Sequence, residues 1–279
     1  MIRSLSLSVA FAAVVAMPAF AAEPPQNDLL NATLWMQNSV EAKANSVAVF
    51  TLARIRLDQA LADTNWTAAP VEQGAGFQNK PPAIVVDIDE TAMDNSGYQA
   101  HLAINNTSFD PKTWTAFVNS ATSRAIPGAL DFLKYADSKG VKIFYVSNRT
   151  AEEEAGTRKN MAALGFPVDN SMDTVLTSRE KPDWTSAKGT RRAFIGQTHR
   201  ILLNLGDNFG DFTDDFRGDD AERLKVYEAN KDRWGREWLM IANPAYGSFE
   251  SAPFKHDFKV PEGDRREAKR KAMQPWDGK

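Results

Sequence analysis

The hydrophobic pattern of the chain changes from an amphipathic stretch that starts at residue 29 to short apolar runs further on. Over residues 29–63, apolar positions recur at three- and four-residue steps without Pro or Gly, which predicts one long helix or two short ones. Residues 83–88 follow as a short run rich in β-branched side chains, a pattern typical of a buried strand. A helical region therefore precedes the first strand of the main fold.

From residue 127 onward, amphipathic and apolar segments alternate. Helices are predicted at 127–138, 151–164, 187–197 and 219–230, and strands at 141–146, 174–176, 200–205 and 238–241. Alternation of this kind predicts an α/β fold with a mostly parallel sheet and helices on both faces.

Two segments fall outside that alternation. Residues 94–126 are too long for a plain connection and contain an amphipathic turn around 114–117, so we expect a small insertion that overhangs an edge of the sheet. Residues 255–279 are rich in charge and poor in large apolar side chains, which predicts a solvated tail or an exposed helix.

The first 21 residues have the pattern of a secretory signal peptide. Arg3 precedes an apolar stretch over 7–20, and small residues lead to a polar segment. The apolar stretch is shorter than the ~20 residues that a membrane span needs, and Pro18 interrupts it. We therefore expect cleavage near Ala21 or Ala22, followed by export.

Composition narrows the possible functions. The chain has 279 residues and a formal net charge of −3, which gives no reason to expect binding to a nucleic-acid duplex. It contains no cysteine, which excludes thiol catalysis, iron–sulfur clusters and cysteine-ligated zinc. The same absence excludes an acylated cysteine as a membrane anchor.

Polar side chains stand at the ends of the predicted strands, where open parallel sheets bind their ligands. They are Asp87 and Asp89 after the first strand, Ser147 and Asn148 after the second, Lys188 beside a helix, and Asp207 and Asp211 after a later strand. Like charges ~4 Å apart repel by about 4 kcal/mol at an effective dielectric constant of about 20, so such carboxylates hold a proton or a cation. Oxygen ligands without nearby Cys or His favour Mg²⁺.

This set of residues favours phosphoryl transfer. One Asp held by Mg²⁺ can attack phosphorus as a nucleophile, and a second can protonate the leaving oxygen and later activate water. Lys188 and the hydroxyl of Ser147 supply the positive charge and the donor that phosphoryl oxygens require. Each motif alone has a structural alternative: a helix N-cap for DxDxT, a turn at Ser147 and Asn148, and solvated surface for Lys188. Their order and spacing along the chain carry the prediction.

The same residues resemble a known family. DIDET, SNR, the Lys188 region and GDNFGDF are similar to the four signatures of the haloacid dehalogenase (HAD) superfamily of phosphatases. LNATLWMQNSVEAK, KPPAIVVDIDETAMDNSGYQ, IPGALDFL and NPAYGSFE resemble the class C bacterial acid phosphatases, a group that includes outer-membrane lipoprotein 5′-nucleotidases. The resemblance implies a Rossmann-like phosphatase domain over 22–254, with an N-terminal helical region at 28–63, a small α-helical accessory region at 94–126 and no large cap.

The resemblance also implies a role for each matching residue. Asp87 would be the nucleophile, and Asp89 the general acid and base that lends its backbone carbonyl to Mg²⁺. Asp207 would be the third protein ligand, with Asp211 close to the metal. Ser147 and Asn148 would bind phosphoryl oxygens, and Lys188 would neutralise the nucleophile and the phosphate.

Substrate and location follow from the same resemblance. The family acts on phosphomonoesters, often nucleoside 5′-monophosphates, in mild acid. Tyr98, Trp114 and Tyr246 are predicted to form an aromatic slot for a base, with packing as the alternative. The lipoprotein members carry a cysteine after the signal peptide, whereas this chain has AFAAEPPQ, so we expect a soluble periplasmic or secreted enzyme. A phosphotransferase on the same fold and a non-catalytic binding or storage protein are the alternative functions.

Overall fold

The structure is a computed structural model and describes residues 27–169 and 171–278. The predicted signal peptide and its cleavage position lie outside the described residues. Within the described ranges, no helix combines the length and the apolarity needed to cross a membrane.

A five-stranded parallel sheet forms the centre of the molecule. The strands of the described residues are β1 (Pro82–Val86), β2 (Met93–Asp94), β3 (Arg124–Ala125), β4 (Lys142–Thr150), β5 (Val175–Ser178), β6 (Arg200–Gly206) and β7 (Trp238–Met240). The main sheet has the order β5-β4-β1-β6-β7, and all its neighbouring strands are parallel. The α/β fold class is therefore confirmed, and β1 is the middle strand between β4 and β6.

Helices cover both faces of this sheet. Those of the described residues are α1 (Leu30–Asn38), α2 (Val40–Ala62), α3 (Pro70–Gln73), α4 (Ser96–Asn105), α5 (Pro111–Ser120), α6 (Ala129–Ser138), α7 (Ala151–Leu164), α8 (Gly189–Thr198), α9 (Asp220–Ala229), α10 (Ser248–Ser251) and α11 (Glu262–Ala272). Ile84 and Val86 of β1 pack with α2, α6 and α7 on one face, while Ala83 and Val85 pack with α8 on the other. Successive side chains of a strand point to opposite faces, so an unbroken apolar run is what a strand covered on both sides requires.

The N-terminal helical region consists of two helices. Ser39 between α1 and α2 has extended backbone angles, and its Oγ accepts a hydrogen bond from the Ala42 N–H at 2.9 Å. This bond satisfies one of the free N–H groups at the start of α2, so Ser39 ends one helix and caps the next.

The insertion differs in position from the expectation. It leaves the middle strand of the sheet, is closed at its base by the antiparallel pair β2 and β3, and packs through α4 on α1 and through α5 on α7. A Cβ added to Gly156 of α7 would lie 2.6 Å from Asn119 Oδ1, so the glycine allows α5 to approach α7 closely. The insertion therefore lies over the carboxyl end of β1 rather than beyond a sheet edge.

Two further boundaries differ from the sequence pattern. β4 continues past Val146 to Thr150, and its pairing with β5 shifts register between those two residues. Ser147, Asn148 and Arg149 thus lie on an irregular stretch of strand rather than in a turn. At the C-terminus, α11 is the exposed helix that was one of the two expectations for the charged segment.

Candidate active site

Three carboxylates meet where β1 and β6 end. Asp87 follows β1, and its N–H donates to the Leu205 carbonyl of β6 at 2.9 Å. Asp207 follows β6, and Asp211 lies one short turn later. Because the two strands are parallel neighbours, their ends bring the oxygens of Asp87, Asp207 and Asp211 within 4.8 Å of one another.

Lys188 places a buried positive charge between two of these acids. Its Nζ contacts the Asp87 carboxylate and lies 2.7 Å from Asp211 Oδ1. Burial opposes the charged form of Lys188, but the carboxylates of Asp211 and Asp87 outweigh it and raise its pKa. The residue immediately precedes α8, which fixes the start of the lysine side chain against the sheet.

Asp211 holds the loop that follows β6. Its Oδ2 accepts hydrogen bonds from the backbone N–H groups of Asp207 at 3.1 Å and Asn208 at 2.9 Å. A Cβ on Gly206 would lie 2.3 Å from that oxygen, so only a glycine allows the approach. With Oδ1 on Lys188 and Oδ2 on the backbone, Asp211 organises the cluster.

Asp207 presents its carboxylate to the cluster under different constraints. Oδ2 accepts from Asn243 Nδ2 at 2.8 Å, and Oδ1 lies 3.3 Å from Thr91 Oγ1. Burial, with the charges of Asp211 and Asp87 added to it, raises the pKa of Asp207 well above its ordinary value. Burial also raises the pKa of Asp87, against the opposing charge of Lys188. The cluster is therefore short of positive charge and offers hard oxygen ligands, which is the donor set that fits Mg²⁺.

Asp89 lies on the β4 side of the crevice and is held by several donors. Its Oδ1 accepts from Arg149 Nε at 2.9 Å and from Asn95 Nδ2 at 2.8 Å, and it forms an ion pair with Arg149 Nη2 at 2.8 Å. Its Oδ2 lies 3.3 Å from the hydroxyl of Ser147. Sequence reasoning named Asp89 and Ser147 but missed Arg149 and Asn95, although Arg149 is the third residue of the SNR motif.

Glu90 is a third residue that sequence reasoning missed. It has a left-handed φ of 56°, uncommon for a residue other than glycine, and it is almost fully buried. Its carboxyl group accepts from the Asn95 N–H at 2.8 Å and contacts the Tyr246 hydroxyl. Burial, with the charge of Asp89 added to it, raises the pKa of Glu90 to about 8.

The side chain of Asn148 turns away from the carboxylates. Its Nδ2 donates to the Ser186 carbonyl at 3.1 Å, and its Oδ1 accepts from Arg191 Nη2 at 2.8 Å. Arg191 is fully buried and also donates to the Ser147 and Thr185 carbonyls. Arg191 was missed because a charged residue near Lys181 and Arg192 has the sequence pattern of a solvated surface.

The three aromatic candidates do not share one environment. Tyr98 is 2% exposed, its hydroxyl pairs with Thr113 Oγ1 at 2.9 Å, and its ring packs on Trp114, so Tyr98 is a packing residue of the insertion. Trp114 is half-buried, with its ring centroid 5.7 Å from the Arg149 guanidinium. Tyr246 is half-buried and reaches Glu90. The structure thus brings Trp114 and Tyr246, but not Tyr98, to the rim of the site.

Comparison with known proteins assigns the chain to a family. The family model described as HAD superfamily, subfamily IIIB (acid phosphatase) matches residues 10–249. The chain belongs to this family. The class C acid phosphatase from Bacillus anthracis is 33% identical with a TM-score of 0.78, over 89% of this chain and 98% of that chain. The structure of that enzyme with tungstate bound matches equally well.

Two plant proteins show a more distant similarity. The stem 28 kDa glycoprotein and a stem 31 kDa glycoprotein of Glycine max are each 25% identical over 139 residues, or 48% of this chain. The chain spans about half the length of these curated relatives, 54% of the first and 47% of the second.

Proposed function

We propose that this protein is an exported, Mg²⁺-dependent phosphomonoesterase, an acid phosphatase or 5′-nucleotidase, that acts through an aspartyl-phosphate on Asp87. The observation that carries the proposal is the group of three carboxylates at the carboxyl ends of β1 and β6, two of which contact the buried Lys188. Family membership and the likeness to the class C acid phosphatase from Bacillus anthracis support the reaction class.

Asp87, Asp207 and the backbone carbonyl of Asp89 would hold the metal ion. The donor set fits because all three groups are hard oxygens and because burial raises the pKa of both Asp87 and Asp207 in the absence of further positive charge. When bound, Mg²⁺ supplies the positive charge that draws an anionic phosphoryl group into an acidic crevice.

In the first step, a carboxylate oxygen of Asp87 attacks phosphorus. The bond between phosphorus and the leaving oxygen breaks, its electron pair stays on that oxygen, and the oxygen takes a proton from Asp89. Lys188 and the Ser147 hydroxyl donate to the phosphoryl oxygens. The carboxamide of Asn148 is bound to Ser186 and Arg191, so we assign the phosphoryl contact at this position to its backbone N–H.

In the second step, water attacks the phosphorus of the aspartyl-phosphate. Asp89, now a carboxylate, accepts a proton from that water, and the bond from phosphorus to the Asp87 oxygen breaks. Inorganic phosphate leaves, Asp87 is again a carboxylate and Asp89 is again protonated. Two steps suit the reaction because phosphate monoesters are among the slowest biological substrates to hydrolyse unaided.

The substrates we propose are nucleoside 5′-monophosphates. Trp114 and Tyr246 support this choice, since both are partly exposed and contact Arg149 and Glu90, which neighbour Asp89. Aromatic rings at such a position can stack a purine or a pyrimidine. A periplasmic or secreted location is supported by the pattern of residues 1–21.

Hydrolysis of AMP and of p-nitrophenyl phosphate, with Mg²⁺ and with a chelator, tests the proposal. Activity should vanish on chelation and in Asp87→Asn, while Asp137→Asn, an exposed carboxylate of α6 near the opposite end of the sheet, should behave as wild type. Near-wild-type turnover by Asp87→Asn would show the mechanism to be wrong. Accumulation of a phosphorylated alcohol in place of free phosphate would favour the phosphotransferase alternative.

A further inference from the structure

Arg149 is more deeply buried than the carboxylate it serves. Its side chain is 1% exposed, whereas that of Asp89 is 18% exposed. Three elements fix the guanidinium: it belongs to β4, its Nη1 donates to Thr157 Oγ1 of α7 at 2.9 Å, and its Nη2 lies 3.2 Å from Asn95 Oδ1 at the start of α4. Trp114 of α5 covers it from a fourth direction. Such an arrangement leaves the arginine very little rotational freedom.

The bonds to Asp89 are unequal between its two oxygens. Oδ1 accepts from Arg149 Nε at 2.9 Å and from the Asn95 amide at 2.8 Å, and it lies 2.8 Å from Arg149 Nη2 as an ion pair. Oδ2 faces the Ser147 hydroxyl at 3.3 Å. Hydrogen bonds that involve charged groups are about twice as strong as neutral ones, so Oδ1 is the more firmly held oxygen. The freer oxygen points toward the residue that is expected to touch the phosphoryl group.

We propose that Arg149 is the positioning residue of the proposed reaction: by holding Oδ1 of Asp89, it makes Oδ2 the oxygen that carries the proton to the leaving group. This inference rests on the proposed function. The proton passes from Asp89 Oδ2 to the leaving oxygen as the bond to phosphorus breaks, and it returns to Oδ2 from the attacking water. Arg149 itself touches neither the substrate nor the nucleophile. A lysine cannot replace it, because an ammonium is a point charge without the rigid planar group that donates to Asp89, Thr157 and Asn95 at the same time.

Substrates with different leaving groups can distinguish a positioning role of Arg149 from a purely structural one. A structural role would lower the activity on both substrates equally. p-Nitrophenolate leaves as a stable anion and needs little help from a general acid, whereas an alkoxide leaving from glycerol phosphate or AMP needs a proton. The comparison uses kcat/KM at saturating Mg²⁺, which reports the steps through the first irreversible one. A correctly positioned acid contributes about 10²–10⁴-fold, so its misplacement should be visible as a change in the ratio between the two substrates.

We expect Arg149→Met and Arg149→Lys to lose at least about tenfold more activity on glycerol phosphate than on p-nitrophenyl phosphate. Asp89→Asn should show the same preference, enlarged. Arg191→Met is the matched control: it removes another fully buried arginine beside Ser147 that does not contact Asp89, so it should lower both activities by the same factor. Equal losses on the two substrates in the Arg149 variants would overturn the proposal.

A second variant keeps the test decisive if the Arg149 variants do not fold, as judged by circular dichroism. Asn95→Ala removes one donor from Oδ1 and one contact of the guanidinium, so it should give a smaller change in the same direction. A substrate ratio unchanged from wild type in a folded Asn95→Ala would overturn the proposal. Failure of the wild-type protein to hydrolyse either substrate would overturn the proposed function instead.

Discussion

Asp87 and Asp89 are two residues apart, yet their carboxylates occupy contrasting environments. Asp87 is deeply buried beside two other carboxylates and one lysine, and burial raises its pKa. Asp89 is more exposed, and its Oδ1 accepts from Arg149 Nε and Asn95 Nδ2 and forms an ion pair with the Arg149 guanidinium. The first environment suits a nucleophile that requires a cation, and the second suits an acid that must keep a fixed orientation. The contrast indicates that position in the crevice, rather than residue type, would separate the two roles that we propose.

Loss of Lys188 should have the largest effect on the Asp87 side. Lys188→Met leaves Asp87 and Asp211 without their buried cation, so kcat/KM should fall by about 10²–10³-fold, and by the same factor for p-nitrophenyl phosphate and glycerol phosphate. Steady-state kinetics on both substrates measures it. Lys134→Met, an exposed lysine of α6, is the control and should leave both rates unchanged. A loss of activity in Lys188→Met that is confined to glycerol phosphate would contradict the separation of the Asp87 and Asp89 environments.

Metal binding should also separate the two acids. Mg²⁺ at about 100 times its Kd should raise the free energy of unfolding by about 2.7 kcal/mol, because it binds the folded cluster. Asp207→Asn should abolish most of this gain, whereas Asp89→Asn should retain it, since we propose that Asp89 contributes only its backbone carbonyl. Thermal unfolding with Mg²⁺ and with a chelator makes the comparison. A full gain in Asp207→Asn would place the metal elsewhere.

Close packing holds the loop on the Asp87 side. Gly206→Ala would bring a Cβ within 2.3 Å of Asp211 Oδ2, so it should destabilise the protein by about 1–3 kcal/mol. It should also weaken activation by Mg²⁺, because Asp211 orients the backbone N–H groups of Asp207 and Asn208. Urea denaturation and a Mg²⁺ titration of activity measure the two effects. Gly263→Ala in the exposed helix α11 has open space at its Cβ and serves as the control.

The smallest expected effect lies on the Asp89 side. Thr157→Val keeps the shape of the side chain but removes the acceptor for Arg149 Nη1, at a cost of about 1 kcal/mol in the free energy of unfolding. Its activity on glycerol phosphate should fall by only a few-fold, with that on p-nitrophenyl phosphate nearly constant. The same denaturation and kinetic assays apply. Equal losses on the two esters would indicate that Thr157 serves folding alone.

The strand ends were predictable because topology carries the information. A run such as AIVVDI identifies a buried strand, and parallel strands must bring their carboxyl ends to one edge, so the partners Asp87 and Asp207 could be named from the sequence. The prediction needed no knowledge of side-chain contacts. The same reasoning explains why the fold class was correct although several element boundaries were displaced by one or more residues.

The supporting groups could not be predicted in that way. Arg149 and Arg191 resemble surface charges in a sequence. Only the folded chain shows that both are buried, Arg149 against Asp89 and Arg191 against Ser147, although each partner lies far away along the chain. The left-handed backbone of Glu90 has no sequence signal, since glycine is the usual residue at such angles. The sequence left Tyr98 open between a binding and a packing role because aromatic rings are common both in binding slots and in cores, and the burial of its ring appears only in the folded chain.

Asn95 and Ser123 mark the points at which the insertion could be exchanged. Both are buried, and the Ser123 hydroxyl donates to Asn95 Oδ1 at 2.6 Å, so they join the two chain ends of the insertion beneath its helices. The segment between them can be regarded as an exchangeable module. An engineer who replaces residues between 97 and 122 while keeping these two would alter which alcohol portion of an ester is accepted. Asn95, which donates to Asp89, would remain in place with the rest of the α/β domain.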